Sequence, residues 1–346
     1  MRRTGSVATC LFAVILMTAA LTGFGQAPQG RQPAPKTQPE FNAYTAFFNE
    51  KDPAKKAELG EQFIAGFKES ELIPTAYKLT IQAYTNSKNW AKVMDAADRF
   101  AALPGVDNDS KAYAYLNAIN AAQNLNDLNK LIAYGEKVLA IDPNNLNALI
   151  TLSAVIPQKY PSEPAQLDKA AEMANKALAG LQPLMDKAPA QEKPQYAQID
   201  GSLHETLGLI AYDKKDYKKS IQEYTNAIKS NAKSDTAHFY LSYDYISLMG
   251  LASKEYLAAI DAEKAAIAAK ADQPTMDELK AKTAGYADDV RRYRDLAIDD
   301  LAIAVALNGP VAQQARDELT KQWTAKNNDT NGLEQFIAQK KTQIGG

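Results

Sequence analysis

Apolar side chains recur every three or four positions along most of the chain from residue 40 onward. This spacing places them on one face of an α-helix. It is clearest at Leu207, Tyr217, Tyr224 and Ile228. Alanine is abundant in the same stretch and β-branched residues are sparse, a composition that favours closely packed helices over a sheet. The pattern therefore predicts an all-α protein.

Polar turns and prolines divide this pattern into consecutive helix pairs. Residues 40–70 are expected to form an N-terminal capping pair, 71–270 an array of pairs, and 271–346 the C-terminal helices and tail. The fifth pair of the array is predicted as two helices, 235–247 and 253–269. Residues 277–307 are predicted as one long charged helix or two, and prolines give a stretched loop over 156–164.

One constant interval recurs through the best-defined part of the array. It separates His204 from His238, the two histidines of the chain, and it also separates Leu207 from Leu241. A fixed period of this length, about 34 residues, indicates stacked units that each contain one helix pair.

Residues 201–234 resemble the tetratricopeptide repeat (TPR) family in register. Leu207 and Gly208 match the family pattern outright. Substitutes occupy other slots: His204 for tryptophan, Ser220 for alanine and Tyr224 for phenylalanine, whereas Ala211 and Ala232 depart from the tyrosine and proline slots. The resemblance implies antiparallel helix pairs stacked as a right-handed solenoid, with first helices lining a concave groove that binds proteins or peptides.

Residues 1–27 have the layout of a signal peptide. Arg2 and Arg3 precede an apolar run over residues 7–21, which is short for a membrane span, and small residues follow it. We expect export to the periplasm or the extracellular space, and an uncleaved segment would instead be a membrane anchor. Residues 28–39 are rich in proline and glutamine and are predicted to be a disordered linker.

Charge and cysteine content exclude several classes of function. The formal net charge is −2, and removal of residues 1–27 would take away Arg2 and Arg3 but no acidic residue. The remaining, weakly acidic chain lacks the basic surface of a nucleic-acid-binding protein. Cys10 is the one cysteine and lies in the apolar run, so a mature chain has no thiolate site.

No catalytic or phosphate-binding motif is present, so we expect neither an enzyme nor a cofactor. His204 and His238 occupy a slot that is normally structural, and we expect them to pack in the fold and not to bind a metal. The acid pairs Asp288–Asp289 and Asp299–Asp300 lie near Arg291, Arg292 and Arg294. We interpret them as a solvated ion-pair face because neighbouring residues on a helix point about 100° apart.

The predicted groove combines aromatic and amide side chains, which suit an extended peptide. The candidate partner-binding residues are Tyr212, Tyr243, Glu205, Phe239, Asn120, Gln123 and Gln82. An alternative interpretation places Tyr212, Phe239 and Tyr243 inside the fold as packing residues. The expected function is a non-enzymatic protein-interaction scaffold in the cell envelope. The alternative is a carrier or sensor of a small ligand, such as a glycan or a peptide fragment.

Overall fold

The computed structural model describes residues 33–345, which form fourteen helices and no strand in that range. The predicted signal peptide and the first residues of the predicted linker lie outside the described part. The all-α class is confirmed. None of the helices within residues 33–345 is long and apolar enough to cross a membrane.

The chain divides into two compact units, with the boundary between Tyr160 and Pro161. The N-terminal unit contains α1 (Gln38–Asn49), α2 (Pro53–Gly66), α3 (Ile73–Asn86), α4 (Trp90–Ala101), α5 (Asn108–Asn124), α6 (Leu128–Ile141) and α7 (Leu146–Lys159). The C-terminal unit contains α8 (Pro164–Lys187), α9 (Lys193–Asp213), α10 (Tyr217–Ser230), α11 (Asp235–Ala268), α12 (Gln273–Leu307), α13 (Ala312–Asn327) and α14 (Leu333–Gly345).

In three helix pairs, the same type of turn connects the first helix to the second. The turns α3–α4, α5–α6 and α9–α10 each have three residues, and the middle residue is left-handed: Lys88, Asn126 and Lys215 have φ of 56°, 54° and 63°. The next backbone N–H donates to a carbonyl five residues earlier at 2.9 Å in each turn. This C-terminal motif satisfies carbonyls that the helix end leaves open, so the second helix can turn back against the first.

Short polar side chains fix where the second helices and their successors begin. Asp127 and Asp216 accept hydrogen bonds from the backbone N–H groups of Lys130 and Lys219, at 3.0 and 3.2 Å. Ser234 accepts from the N–H of Ala237 at 3.0 Å. Each bond caps a helix N-terminus, a contribution of about 1 kcal/mol.

The pair α9–α10 has the close helix crossing that the TPR resemblance implies. A Cβ on Gly208 would lie 2.9 Å from ring atoms of Tyr224, which is 1% exposed. Ser220 lies at the same crossing, and its Oγ is 2.9 Å from the carbonyl oxygen of Gly208. Leu207 is buried beside them. The predicted helix-pair packing of residues 201–234 is thus confirmed.

Several predicted helix boundaries are corrected by the structure. The helix α11 runs unbroken through Gly250 for 34 residues, where two helices were predicted. The helix α12 is likewise single and has 35 residues. Pro157 lies inside α7 and Pro164 begins α8, so the stretched loop predicted over 156–164 contracts to residues 160–163.

Candidate interaction surface

Tyr212 and Tyr243 lie on α9 and α11, two helices that contact each other, and both side chains are partly exposed. The Tyr212 ring packs edge-on against Tyr217 with centroids 5.7 Å apart. The Ser247 hydroxyl donates to the Tyr212 hydroxyl at 3.4 Å. Because Ser247 is one helical turn from Tyr243, the two tyrosines share one face of the C-terminal unit.

The helix α13 adds a cation beside Tyr243. Lys321 carries a side chain that is 71% exposed and forms an ion pair with Glu318 at 3.1 Å. The Glu318 carboxylate, and to a smaller extent the Tyr243 hydroxyl, raise the pKa of Lys321, so it stays charged. We call Tyr212, Tyr243, Ser247 and Lys321 the tyrosine surface. It offers aromatic area, hydroxyl groups and one positive charge.

Glu205 and Phe239 are buried, although the sequence placed them on the groove. The Glu205 carboxylate accepts from the Ser234 hydroxyl at 2.5 Å, and burial raises its pKa to about 7. Phe239 packs in the core formed with α12 and α13, and its ring lies 4.9 Å from that of Tyr243. The prediction for Phe239 considered a single repeat, so it did not include α12 and α13, which cover Phe239.

The three amide candidates belong to the N-terminal unit and differ in exposure. Gln82 on α3 is exposed, whereas Asn120 and Gln123 on the adjacent helix α5 are half-buried. Asn124 donates to the backbone and side-chain oxygens of Asn120 at 2.9 Å. The Oε1 of Gln123 is buried and has no hydrogen-bond partner among the described residues, which makes it the least satisfied of the three.

Both histidines bind carboxylates, which the sequence analysis did not anticipate. The Nδ1 atoms of His204 and His238 lie 2.8 Å from Glu223 Oε2 and 2.6 Å from Asp300 Oδ1, respectively. Asp300 is therefore not part of a solvated face, and burial raises its pKa despite the His238 hydrogen bond. The acids lie 19 and 62 residues from their histidines, a separation that no local pattern reveals.

The other acidic residues of those pairs are at least partly exposed and form ion pairs. Asp288 pairs with Arg291, Asp289 with Arg292 at 2.8 Å, and Asp299 with Lys340 at 2.7 Å. Over residues 33–345 no three histidine, cysteine or acidic side chains come together as a possible metal site.

The Asp244 carboxyl is buried and contacts the Ser220 hydroxyl. Ser220 Oγ lies 2.6 Å from Asp244 Oδ2 and 2.9 Å from the Gly208 carbonyl oxygen. A hydroxyl has one proton, so it donates to only one of these acceptors. Both contacts are hydrogen bonds if Ser220 donates to the carbonyl and a protonated Asp244 donates to Ser220. Burial raises the pKa of Asp244 to about 7, consistent with this arrangement.

An aromatic cleft lies at α1, in a region that the sequence analysis treated as linker and capping pair. Its volume is about 440 Å³, and its walls include Pro33, Pro35, Phe41, Tyr44 and Phe48. Phe41 and Phe48 are 50% and 54% exposed. Phe41, Tyr44 and Phe48 recur at helical spacing along one side of α1, and this was the signal available in the sequence.

Comparisons with known proteins found similar solved structures but no matching family model or curated protein. The chain is similar to the crystal structure of a tetratricopeptide repeat protein from Parabacteroides merdae, with 9% identity and a TM-score of 0.44 over 83% of this chain and 100% of that chain. It is also similar to Cut9–Hcn1 of the APC/C, with 18% identity and a TM-score of 0.25 over 81% of this chain and 54% of that chain.

Proposed function

We propose that the protein is a non-enzymatic interaction scaffold outside the cytoplasm, and that it binds a peptide or protein segment at the tyrosine surface. The observation that carries the proposal is the partial exposure of Tyr212 and Tyr243 on adjacent helices of the array. Tyrosines contribute large contact areas with little loss of side-chain entropy, so they are frequent anchors in protein interfaces.

The surroundings of the two tyrosines favour a polar, extended partner. Ser247 donates a long hydrogen bond to the Tyr212 hydroxyl, and Lys321 provides a charge that is largely solvated. A peptide with an apolar or aromatic residue beside an acidic one would match this arrangement. Gln82, Asn120 and Gln123 belong to the N-terminal unit, and we propose them as partner contacts of that unit alone.

Affinity capture from the envelope fraction tests the proposal. The wild-type chain should retain a defined partner, and Tyr212→Ala/Tyr243→Ala should lose it. Because Tyr243 also packs on the core, Lys321→Glu provides a second variant at a side chain that is 71% exposed. Retention of the same partner by both variants would refute binding at the tyrosine surface. Equal unfolding midpoints in urea would exclude loss of the fold as the cause.

The α1 cleft favours a second candidate function, a carrier of a small ligand. Its volume and aromatic walls suit a glycan ring or a peptide fragment that stacks on Phe41 or Phe48. A ligand present at about 100 times its dissociation constant should stabilise the chain by about 2.7 kcal/mol. Thermal unfolding with a ligand library tests this, and Phe48→Ala should abolish the shift. A shift that persists in Phe48→Ala would place the ligand elsewhere.

A further inference from the structure

The outer parts of α11 and α12 form a two-helix arm, residues 251–296, whose side chains are largely open to solvent. Ala252 is the one buried residue in this stretch. The helices continue well beyond the part of the hairpin that packs on α13 and α14. An arm of this length with so little burial presents a large surface to another molecule.

Gly285 lies near the middle of α12 and has no packing reason to be glycine. A Cβ at this position would meet no atom within 4 Å. Glycine inside a helix is less favourable than alanine, because its backbone loses more freedom on folding. No contact within the described residues requires a glycine at this position. A helix from another molecule that approached the backbone closely at Gly285 would require one.

Charged residues are arranged around Gly285 with opposite signs on its two sides. Glu278 and Arg292 lie seven residues before and after it, and Lys282 and Asp288 lie three residues before and after it. Positions three and seven residues from a central one share its helix face. All four side chains are exposed, with fractions of 69%, 60%, 57% and 72%, respectively.

We propose that this face of α12 docks against the same face of a second copy of the chain, antiparallel and with the twofold axis at Gly285. Such an axis places a residue that lies a given number of positions before Gly285 opposite the residue that lies the same number of positions after Gly285 in the second copy. Glu278 then faces Arg292 of the second copy, and Lys282 faces its Asp288. Each contact occurs twice, as in any interface with twofold symmetry.

The ends of the face are complementary as well. Pro274 and Leu296 lie eleven residues before and after Gly285, and both are exposed. The same axis brings these two apolar side chains together, one from each copy. A parallel arrangement would instead place Glu278 opposite Glu278 and Arg292 opposite Arg292, which like-charge repulsion disfavours.

Forming the dimer requires little rearrangement of the existing ion pairs. Lys282 pairs with Glu278, and Arg292 with Asp289, both at 2.8 Å within α12. Exposed pairs of this kind contribute little to stability, so exchanging or sharing them between copies costs little. The contact spans six turns of a single helix, so we expect a weak dimer that high salt dissociates.

Sedimentation velocity of the full chain at low salt, from about 5 to about 200 µM, tests the association. The wild type should shift from monomer to dimer across this range. Glu278→Arg and Arg292→Glu should each remain monomeric, because each creates two like-charge contacts. The double variant exchanges both charges and should restore the dimer. A monomeric wild type, or a double variant no better than the single ones, would overturn the proposal.

Disulfide trapping tests the position of the axis. In a Cys10→Ser background, Gly285→Cys places two thiols together at the axis and should give a covalent dimer under mild oxidation. Gly250→Cys is the matched control, because Gly250 is also an exposed helical glycine with no atom near its Cβ position but lies on α11. Equal trapping of the two variants, or none with Gly285→Cys, would contradict the antiparallel arrangement.

Discussion

Replacing Asp244 by asparagine should stabilise the C-terminal unit, and the gain should grow with pH. Asp244 is 0% exposed, and burial raises its pKa from 3.8 to about 7. Asparagine keeps the shape, and its amide can donate to Ser220 as the protonated carboxyl does. The variant therefore keeps the hydrogen bond and removes the buried charge that the wild type must accept at high pH.

The raised pKa of Asp244 determines whether its contribution to stability rises or falls with pH. A pKa raised by folding means that the folded state holds the proton more tightly than the unfolded state. Asp244 therefore stabilises the fold fully below about pH 4, and this contribution is lost as the pH rises through about 7. A shift of about three units corresponds to about 4 kcal/mol at most. Between pH 5 and pH 8 the wild type should lose about 2–3 kcal/mol relative to Asp244→Asn.

Urea unfolding followed by the fluorescence of Trp323 measures this difference. Trp323 lies in α13 of the C-terminal unit, and Trp90→Phe removes the signal of the N-terminal unit. Asp261→Asn is the matched control, because that carboxylate is on the same helix and is 75% exposed. A gain for Asp244→Asn that is equal at pH 5 and pH 8, or no gain, would refute the protonation argument.

Three further predictions use the same unfolding measurement. Glu205→Gln should also stabilise more at pH 8 than at pH 5, because burial raises the pKa of Glu205 to about 7; a gain that does not depend on pH would contradict this. Gly208→Leu should destabilise by about 1–3 kcal/mol or more through a clash with Tyr224, whereas Gly250→Leu should not, since its side chain meets open space. Leu207→Ala should cost about 2–5 kcal/mol by opening a cavity at the helix crossing, and a silent variant would mean that the crossing is wrongly assigned.

Local sequence patterns predicted the helix pairs because the contacts within a pair join residues that are close together in the chain. Gly208, Ser220 and Tyr224 are close together in the chain, and their spacing defines one helix crossing. The turn after Asp213 was likewise recognisable as a polar break. For these contacts within one pair the sequence contained the information, although the His204–Glu223 contact of the same pair was not predicted.

Long-range packing explains what the sequence analysis missed. A break was expected before Ser253, but α11 continues because α12 runs beside it along its length. Asp300 was assigned to a solvated face because its partner, His238, lies 62 residues away. The burial of Phe239 has the same origin, since α12 and α13 cover it, whereas Glu205 is buried against Ser234 at the end of its own repeat. The α1 cleft depends on Leu72 and Thr75 as well as on α1.

Comparing the partner's dissociation constant for three forms of the chain tests the central claim most directly. The forms are the wild type, Tyr212→Ala/Tyr243→Ala, and Phe41→Ala/Phe48→Ala, each titrated with the captured partner. If the tyrosine surface anchors the partner, the tyrosine variant should bind at least about tenfold more weakly, a loss of about 1.4 kcal/mol, and the phenylalanine variant should match the wild type. An unchanged dissociation constant for the tyrosine variant would contradict the claim, and a loss confined to the phenylalanine variant would place binding at the α1 cleft.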